Sequence, residues 1–424
     1  MKKILAITAM AAFAAVSFAE GITFGAWLRA LAAPVASDGK DTITAAGNSW
    51  GYGARTARIN VSAVAPDGNA GFNMGVYNDV TMSLSAGDEA NLWVKPIDIV
   101  KVSYGKYDNN TLRGDVCYGS WNWLRPTSSW IAEDEGLLMS GNGGTGLMAE
   151  ITPMEELYVQ VMLPITTDEV KAADTYKNLR AGFAYTVPGL VKVKGQYIGQ
   201  GKGKASDEEI AEATADAAGA LFDYITDPSA TTMAALKAKQ KALAATEANS
   251  NCALEAEVDV LAVEGLSAGL GFRYDVVKDG KDYYGDSQKM KVALGASYQV
   301  MPELKVSASG AYFMYYDNDA MKPRFQAGAG VDYDLGDGLA ANADFRYLSP
   351  AKDADGKKDY TDHMAFSVGV TKSVSSNGYI GVAFQGQTNC GNFGNNVITG
   401  KTKEATDDPK NFTWCVPVAL SVWF

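Results

Sequence analysis

The stretch that decides the fold is residues 412–424, which read FTWCVPVALSVWF. Apolar residues occupy every second position from Phe412 to Phe424, which is the period of a β-strand with one apolar face. The stretch is long enough to cross a bilayer, because a tilted membrane strand needs about 9–11 residues. The pattern therefore predicts a membrane strand whose apolar face meets lipid, with its aromatic end at the headgroup level and with Thr413 and Ser421 facing the lumen.

This stretch resembles the C-terminal strand of bacterial outer-membrane β-barrels, whose last residue is typically aromatic. The resemblance implies contact with outer-membrane lipid and recognition of the strand ending at Phe424 by the barrel assembly machinery. Residues 91–96 (NLWVKP) and 101–106 (KVSYGK) also look like paired strands of spirochaete-type outer-membrane barrels.

The N-terminus predicts export. Residues 1–3 are basic at two positions, residues 4–16 are apolar, and residues 17–19 (SFA) have the small-x-small form of a cleavage site. We expect residues 1–19 to be a secretory signal peptide rather than a membrane anchor, because the apolar segment is well short of the roughly 20 residues of a spanning helix. Residues 20–424 are then predicted to form a single barrel domain.

Composition excludes several functions. The formal net charge of −12 argues against nucleic acid as a partner, since phosphate binding needs clustered Lys and Arg. The only histidine, His363, cannot build a histidine-rich metal centre. The glycine-rich segments precede no phosphate-binding helix. We therefore expect no enzyme activity, no metal and no cofactor.

Alternating runs recur along the chain, joined in turn by tight turns and longer polar connections. Residues 66–69 (PDGN) join two such runs with explicit hairpin chemistry. Counting the runs predicts an all-β fold, a transmembrane antiparallel up-and-down β-barrel of about 18 strands, with 16 as the alternative. The other tight turns are predicted at 96–98, 153–156, 187–189, 263–265, 301–303, 336–338 and 375–378, and the longer connections at 34–50, 85–88, 108–144, 164–177, 199–251, 276–286, 316–322, 349–362 and 386–410.

Aromatic residues on the apolar face sort by strand direction into two rings, as expected of girdles at the two membrane interfaces. A soluble β-sandwich or solenoid does not predict this sorting. The outer ring contains Tyr104, Tyr197, Tyr274, Tyr312, Tyr347 and Trp414, and the inner ring contains Tyr185, Tyr298, Tyr333 and Phe424.

The opposite face is expected to line the pore, and it leans basic. Basic groups dominate the first nine strands while acidic groups cluster on the tenth, which would set up a transverse field that biases ion passage. The alternative is a solvated polar wall without selectivity. The candidate basic residues are Arg29, Arg58, Lys95, Lys101, Arg180, Lys192, Lys194, Arg273, Lys289, Lys291, Lys305, Arg324 and Arg346, and the tenth strand carries Glu255, Glu257 and Asp259.

The connection 108–144 is the candidate constriction. Its position resembles the third loop of general bacterial porins, which folds into the barrel. Its carboxylates would narrow a basic pore, and its tryptophans would either bind sugar rings or pack the loop against itself. The candidates are Asp115, Trp121, Trp123, Trp130, Glu133, Asp134 and Glu135.

The longest connection, 199–251, is predicted to be an extracellular helical insertion. Residues 206–209 (SDEE) form a capping-box pattern, and Asp227 with Pro228 offers a second helix start before 233–248. The resulting hairpin caps the pore mouth, bends into it or decorates the surface.

The even number of cysteines permits disulfides in an exported protein. Three pairings are open. Cys390 with Cys415, and Cys117 with Cys252, is preferred because the first bridge closes one loop.

Together these patterns predict a porin in the outer membrane that passes small hydrophilic solutes or ions by passive diffusion. The alternatives are a surface adhesin or antigen whose barrel anchors the loops, and a sugar-selective channel. The class allows a homotrimer.

Overall fold

The computed structural model describes residues 22–37, 41–47, 55–79, 84–107, 111–114, 138–141, 143–165, 172–199, 207–246, 251–277, 288–317, 320–352, 359–360, 362–390 and 410–424. The predicted signal peptide, residues 1–19, lies outside them. The strands are β1 (Ile22–Ser37), β2 (Thr42–Gly47), β3 (Arg55–Val64), β4 (Ala70–Asp79), β5 (Leu84–Ile97), β6 (Val100–Tyr107), β7 (Gly144–Met154), β8 (Leu157–Leu163), β9 (Arg180–Val187), β10 (Val191–Gly199), β11 (Asn251–Val260), β12 (Leu266–Val277), β13 (Gln288–Met301), β14 (Leu304–Asp317), β15 (Ala320–Gly336), β16 (Leu339–Leu348), β17 (Ala351–Lys352), β18 (Asp359–Tyr360), β19 (His363–Ser375), β20 (Gly378–Cys390) and β21 (Lys410–Trp423). The helices are α1 (Ala172–Lys177), α2 (Asp207–Thr226) and α3 (Ala230–Thr246).

The strands close into an antiparallel barrel of 18 strands, as predicted. Each barrel strand pairs with its sequence neighbours, and β21 returns to pair with β1. Three short strands stand outside this count, because β2 pairs only with the far half of β1, and β17 pairs only with β18. A closed ring leaves no sheet edge, which is what a strand protein needs in lipid.

The tight turns all join strands at one end of the barrel, and the strand ends that are joined by longer connections lie at the other end. Each predicted turn joins the strand pair expected of it. At the β3–β4 turn the Gly68 N–H donates to the Ala65 carbonyl at 2.8 Å, and Gly68 adopts φ +73°, which favours glycine. This turn end carries the short-turn chemistry that a barrel places on the periplasmic side.

Two of the predicted connections are misplaced. β4 ends at Asp79 and β5 begins at Leu84, so the connection predicted at 85–88 is strand. The connection predicted at 316–322 is mostly ladder, because Asp317 pairs with Ala320. The polar residues at the ends of these strands resemble a loop in the sequence, although the cross-strand hydrogen bonds continue through them.

The outer surface is apolar and the inner surface polar, as membrane strands require. On β12 the outward Leu270 and Phe272 are 50% and 39% exposed, whereas the alternate Gly269, Gly271 and Arg273 are buried. The last strand follows its predicted phase: its apolar face is largely exposed, and Thr413 and Ser421 face inward. Most of the predicted girdle residues are exposed on the outside, namely Tyr104, Tyr185, Tyr274, Tyr298, Tyr312, Tyr333 and Phe424.

The predicted helical insertion is present as the hairpin α2–α3, whose helices pack chiefly against each other. The second helix does not start at Asp227–Pro228. Its cap is Ser229, whose Oγ accepts the Thr232 N–H at 3.2 Å while Thr232 Oγ1 accepts the Ser229 N–H at 3.0 Å. None of the helices in the described part of the chain is long and apolar enough to cross a membrane.

The preferred disulfides are wrong for the residues that can be compared. Neither Cys252 nor Cys415 is disulfide-bonded. Cys415 lies opposite Gln385, whereas Cys390 lies opposite Lys410, so the two cysteines sit far apart along neighbouring strands. Sequence proximity to one loop is not enough, because register decides which side chains meet. Cys117 lies outside the described residues.

Candidate functional site: the lumen and its inner loop

The connection between β6 and β7, here called the inner loop, folds into the barrel. Two of its segments are described, a first stem at 111–114 and a second stem at 138–141. They lie side by side, since the Gly114 N–H donates to the Met139 carbonyl at 2.8 Å. Leu112, Leu138 and Met139 are at most 1% exposed, so the loop hides its apolar side chains.

The two stems rest on small residues of the inner wall. Leu112 and Met139 pack against Ala184 on β9. A Cβ added at Gly182 would meet Leu112, and one at Gly271 on β12 would overlap the Leu138 carbonyl. Glycine inside a strand commonly marks such a close approach of another backbone. The wall from β9 to β12 is therefore a seat for the inner loop.

Glu255 on β11 joins the second stem to the wall. Its Oε2 accepts the Ser140 N–H at 2.9 Å, and its Oε1 accepts the Ser140 Oγ–H at 2.7 Å. On the wall side Arg273 donates to Oε1 at 3.0 Å, and Gln196 donates to Oε2. The Glu255 side chain is only 1% exposed, so these bonds form away from bulk water.

Lys194 on β10 joins the first stem to the wall. Its ammonium lies 3.0 Å from Glu257 Oε1 and 3.5 Å from Asp259 Oδ2, and it donates to the Arg113 carbonyl at 3.2 Å. Glu257 touches the loop as well, because a Cβ at Gly114 would overlap its Oε2. Both ends of the inner loop are thus held by buried ion pairs.

This arrangement corrects one prediction about the pore wall. Glu255, Glu257 and Lys194 lie on lumen-facing positions, but the inner loop covers them. Lys194 pairs with Glu257, and Glu255 pairs with Arg273. The acidic cluster on this strand therefore anchors the loop and is not an open negative wall. The sequence could not show this, since cross-strand partners and the covering loop come from distant segments.

The wall half a turn around the ring from this seat carries arginines and aromatic rings. It comprises β20, β21, β1 and β3. The Arg29 guanidinium lies 4.5 Å from the Trp27 ring centroid, and that of Arg58 lies 5.6 Å from the Tyr77 ring. Arg58 also forms an ion pair with Glu89 at 3.6 Å. Stacking on rings orients flat cations without neutralising them.

A third group of charges surrounds Trp93 near the turn end. The ammonium groups of Lys95 and Lys101 lie 5.7 Å and 5.6 Å from the Trp93 ring centroid. Lys101 also pairs with Glu150 at 2.9 Å, and the Tyr158 hydroxyl donates to Glu150 at 2.8 Å. Here Lys101 is neutralised, while Lys95 is exposed.

The remaining predicted pore residues fall in different places. Arg180 donates to the Gly143 carbonyl, where the inner loop rejoins β7. Lys192 is half-buried on β10 opposite Asp259, Lys291 is buried, and Lys305 is exposed opposite Asp332. Lys289 belongs to β13, but its side chain lies outside the described residues, as do all the constriction candidates: Asp115, Trp121, Trp123, Trp130, Glu133, Asp134 and Glu135.

Sequence reasoning missed most of the residues that join the inner loop to the wall. Ser140, Gln196 and the seat glycines carried no motif, and Arg273 was only one member of a basic set. One signal was available: Gly269 and Gly271 are consecutive lumen-phase positions of one strand. Two such glycines leave the inner face without side chains at this point, which indicates that another part of the chain packs there.

The fold is that of bacterial outer-membrane porins. The anion-selective porin from Comamonas acidovorans matches with a TM-score of 0.53 and 12% identity, over 95% of this chain and 99% of that chain. OccK11 (OpdR) of Pseudomonas aeruginosa matches with a TM-score of 0.53 and 9% identity, over 96% and 97%. No family model and no curated sequence matches the chain.

Proposed function

We propose that this chain, which has the porin fold, is an outer-membrane channel for passive diffusion of small hydrophilic solutes and ions. One observation carries the proposal: the closed barrel is apolar outside and charged inside, and one connection folds inward against the wall. A barrel of this strand number is wide enough for an aqueous lumen. An inward loop narrows such a lumen without closing the ring.

The charges favour anions. The acidic residues of β11 are occupied by Lys194, Arg273 and the inner loop. Lys95, Lys192 and Lys305 remain exposed or half-exposed on the lumen face, and Arg29 stacks on an aromatic ring. Rings of basic side chains favour anions in pores. The similar Comamonas porin is described as anion-selective, which agrees with this reading but comes from a likeness of fold alone.

The first experiment is conductance in planar bilayers. Purified, refolded protein should insert with stepwise increases in current, and heat-unfolded protein of the same preparation should not. Stable protein that never produces steps would overturn the channel proposal. In a salt gradient the reversal potential should lie on the anion side of zero.

Reversing one lumen charge tests whether this wall sets the preference. Lys192→Glu should move the reversal potential toward the cation side, because Lys192 lies between the turn end and the docked loop. The matched control is Lys239→Glu on α3, where Lys239 pairs with Asp216 outside the barrel, and this change should leave the potential unchanged. Equal shifts, or none in either variant, would count against the basic wall.

A surface adhesin or antigen is the second candidate, and the hairpin α2–α3 favours it. Phe222 and Ile225 are 66% and 65% exposed. The bilayer experiment separates the two functions, since an anchor for loops needs no current. Sugar-dependent block of the current would favour the third candidate, a sugar-selective channel.

Export, assembly and oligomeric state belong to the same proposal. Residues 1–19 would direct the chain to the periplasm, and the strand ending at Phe424 would engage the barrel assembly machinery. The apolar outer surface would contact outer-membrane lipid. Homotrimer formation is allowed by this class of fold.

A further inference from the structure

We infer that one buried carboxylate, Glu255, and one glycine seat, Gly271, hold the second stem of the inner loop against the wall, and so set the effective width of the channel. The effect on width rests on the proposed function. The attachment itself does not. Glu255 touches the loop and not the solute, so it is a positioning residue.

Glu255 uses both oxygens to bridge two separate parts of the chain. Each oxygen accepts one bond from Ser140 of the loop and one from the wall, through Arg273 for Oε1 and Gln196 for Oε2. Glutamine cannot replace it, because its amide would aim N–H groups at N–H donors. Removing the carboxylate also takes the ion-pair partner from Arg273, and broken buried pairs are strongly destabilising.

Gly271 acts through shape, independently of charge. A Cβ there would overlap the Leu138 carbonyl oxygen and carbon, which are backbone and cannot rotate away. Leu138 is 1% exposed, so it has no spare room above the wall. Even a methyl group at this position should lift the second stem.

Several other attachments hold different parts of the inner loop, and Glu255 is the wall residue that makes two bonds to the second stem. Lys194 holds Arg113 of the first stem, while Arg180 and Tyr107 hold Gly143 and Gly146, where the chain enters β7. In the described part of the second stem, the Ser140 carbonyl also accepts from Gln196 at 2.8 Å, and the Ser140 hydroxyl accepts from Arg273 at 3.2 Å. Loss of Glu255 should therefore free the stem locally, with the barrel intact.

The test compares two unrelated ways of lifting the stem. Glu255→Gln removes the bridge and Gly271→Ala fills the seat. The controls are Glu150→Gln, a wall carboxylate paired with Lys101, and Gly369→Ala, an inward glycine on β19 whose Cβ would meet side-chain atoms of Asn342 and Ala383. Heat-modifiable mobility on gels reports whether each variant forms the barrel.

Two readouts are taken on the full-length protein. The first is the rate of chymotrypsin cleavage after Trp121, Trp123 or Trp130, which lie between the two stems in the sequence, identified by mass spectrometry. The second is open-channel current and its noise in bilayers. Both test variants should be cleaved at least about tenfold faster than wild type, since cleavage follows the population of the released loop. Both test variants should also show a larger or noisier current, and both controls should be cleaved at the wild-type rate.

Folded test variants with wild-type cleavage rates would overturn the inference. If neither wall variant folds, Ser140→Ala decides it, because this change lies on the loop and removes two bonds to the wall: unchanged cleavage would then count against the anchor. If wild type gives no current, the channel proposal fails while the cleavage rates still decide the attachment. Faster cleavage with unchanged current would refute the claim that this attachment sets the effective width of the channel.

Discussion

At the scale of single residues, some of the charged side chains on the lumen face hold the inner loop against the wall. Lys194 is 5% exposed and is shared by Glu257, Asp259 and the Arg113 carbonyl. Its neighbour two positions earlier, Lys192, has the same chemistry but is half-buried. The sequence pattern places both lysines on the lumen wall and does not distinguish them. In the structure Lys194 holds carboxylates and a loop carbonyl, whereas Lys192 is partly exposed to solvent.

Replacing each lysine with methionine should separate these roles. Lys194→Met removes the ammonium that pairs with the buried Glu257 carboxylate, which should lower the free energy of unfolding by about 3–5 kcal/mol. Lys192→Met should change it by less than about 1 kcal/mol, because the Lys192 charge is partly exposed to solvent. Urea unfolding in lipid vesicles, followed by tryptophan fluorescence, measures both. Equal losses would contradict the distinction.

At the scale of elements, the two large connections have opposite roles. The inner loop is bonded to the wall by side chains of β10, β11 and β12. The hairpin α2–α3 packs chiefly on itself, through contacts that include Ala217 and Leu236, both buried. The ends of the hairpin are held together by the β10–β11 ladder, where Gly199 pairs with Cys252.

Deleting the hairpin should therefore leave the barrel and its current unchanged. Residues 206–248 are replaced by a short Gly-Ser linker, which spans ends that the ladder already holds adjacent. Bilayer recordings and heat-modifiable mobility measure the outcome. A larger current after deletion would show that the hairpin obstructs the pore. Loss of binding to host surfaces with intact current would favour the adhesin reading.

At the scale of the whole molecule, closure depends on the last strand. The Phe424 N–H donates to the Ala26 carbonyl at 2.8 Å, and the Phe424 carbonyl accepts the Ala26 N–H at 3.0 Å. These are backbone bonds, whereas the Phe424 ring is 78% exposed at the turn end. The ring is thus separate from the bonds that close the barrel.

Phe424→Ala should consequently reduce assembly more than stability. Purified protein should refold into vesicles with nearly unchanged yield, because the closing bonds are kept. In cells the amount of assembled barrel should fall, if the assembly machinery reads the aromatic end. Leu420→Ala, at a lipid-facing position of the same strand, is the control. Equal losses in vesicles and in cells would argue for a purely structural role of the ring.

The sequence determined much of this molecule because strand periodicity is local. Alternation identified the barrel, its number of strands, the tight turns and the outward face of the last strand. The hairpin was visible too, since helix formers in 207–246 differ from their surroundings. Its second cap was misassigned because Ser229 and Thr232 compete with Asp227 for the same role, and only the bonds formed decide between them.

Only the tertiary structure decided how the lumen is used. Glu255 and Arg273 meet because β11 and β12 are in register, and both meet Ser140 because a loop from far along the chain folds inward against this wall. Such contacts depend on which residues lie opposite each other after closure, and alternation along one strand carries no information about that. The terminal strand therefore indicated a barrel. The position of the inner loop, and with it the shape of the channel, depends on contacts that exist only in the closed barrel.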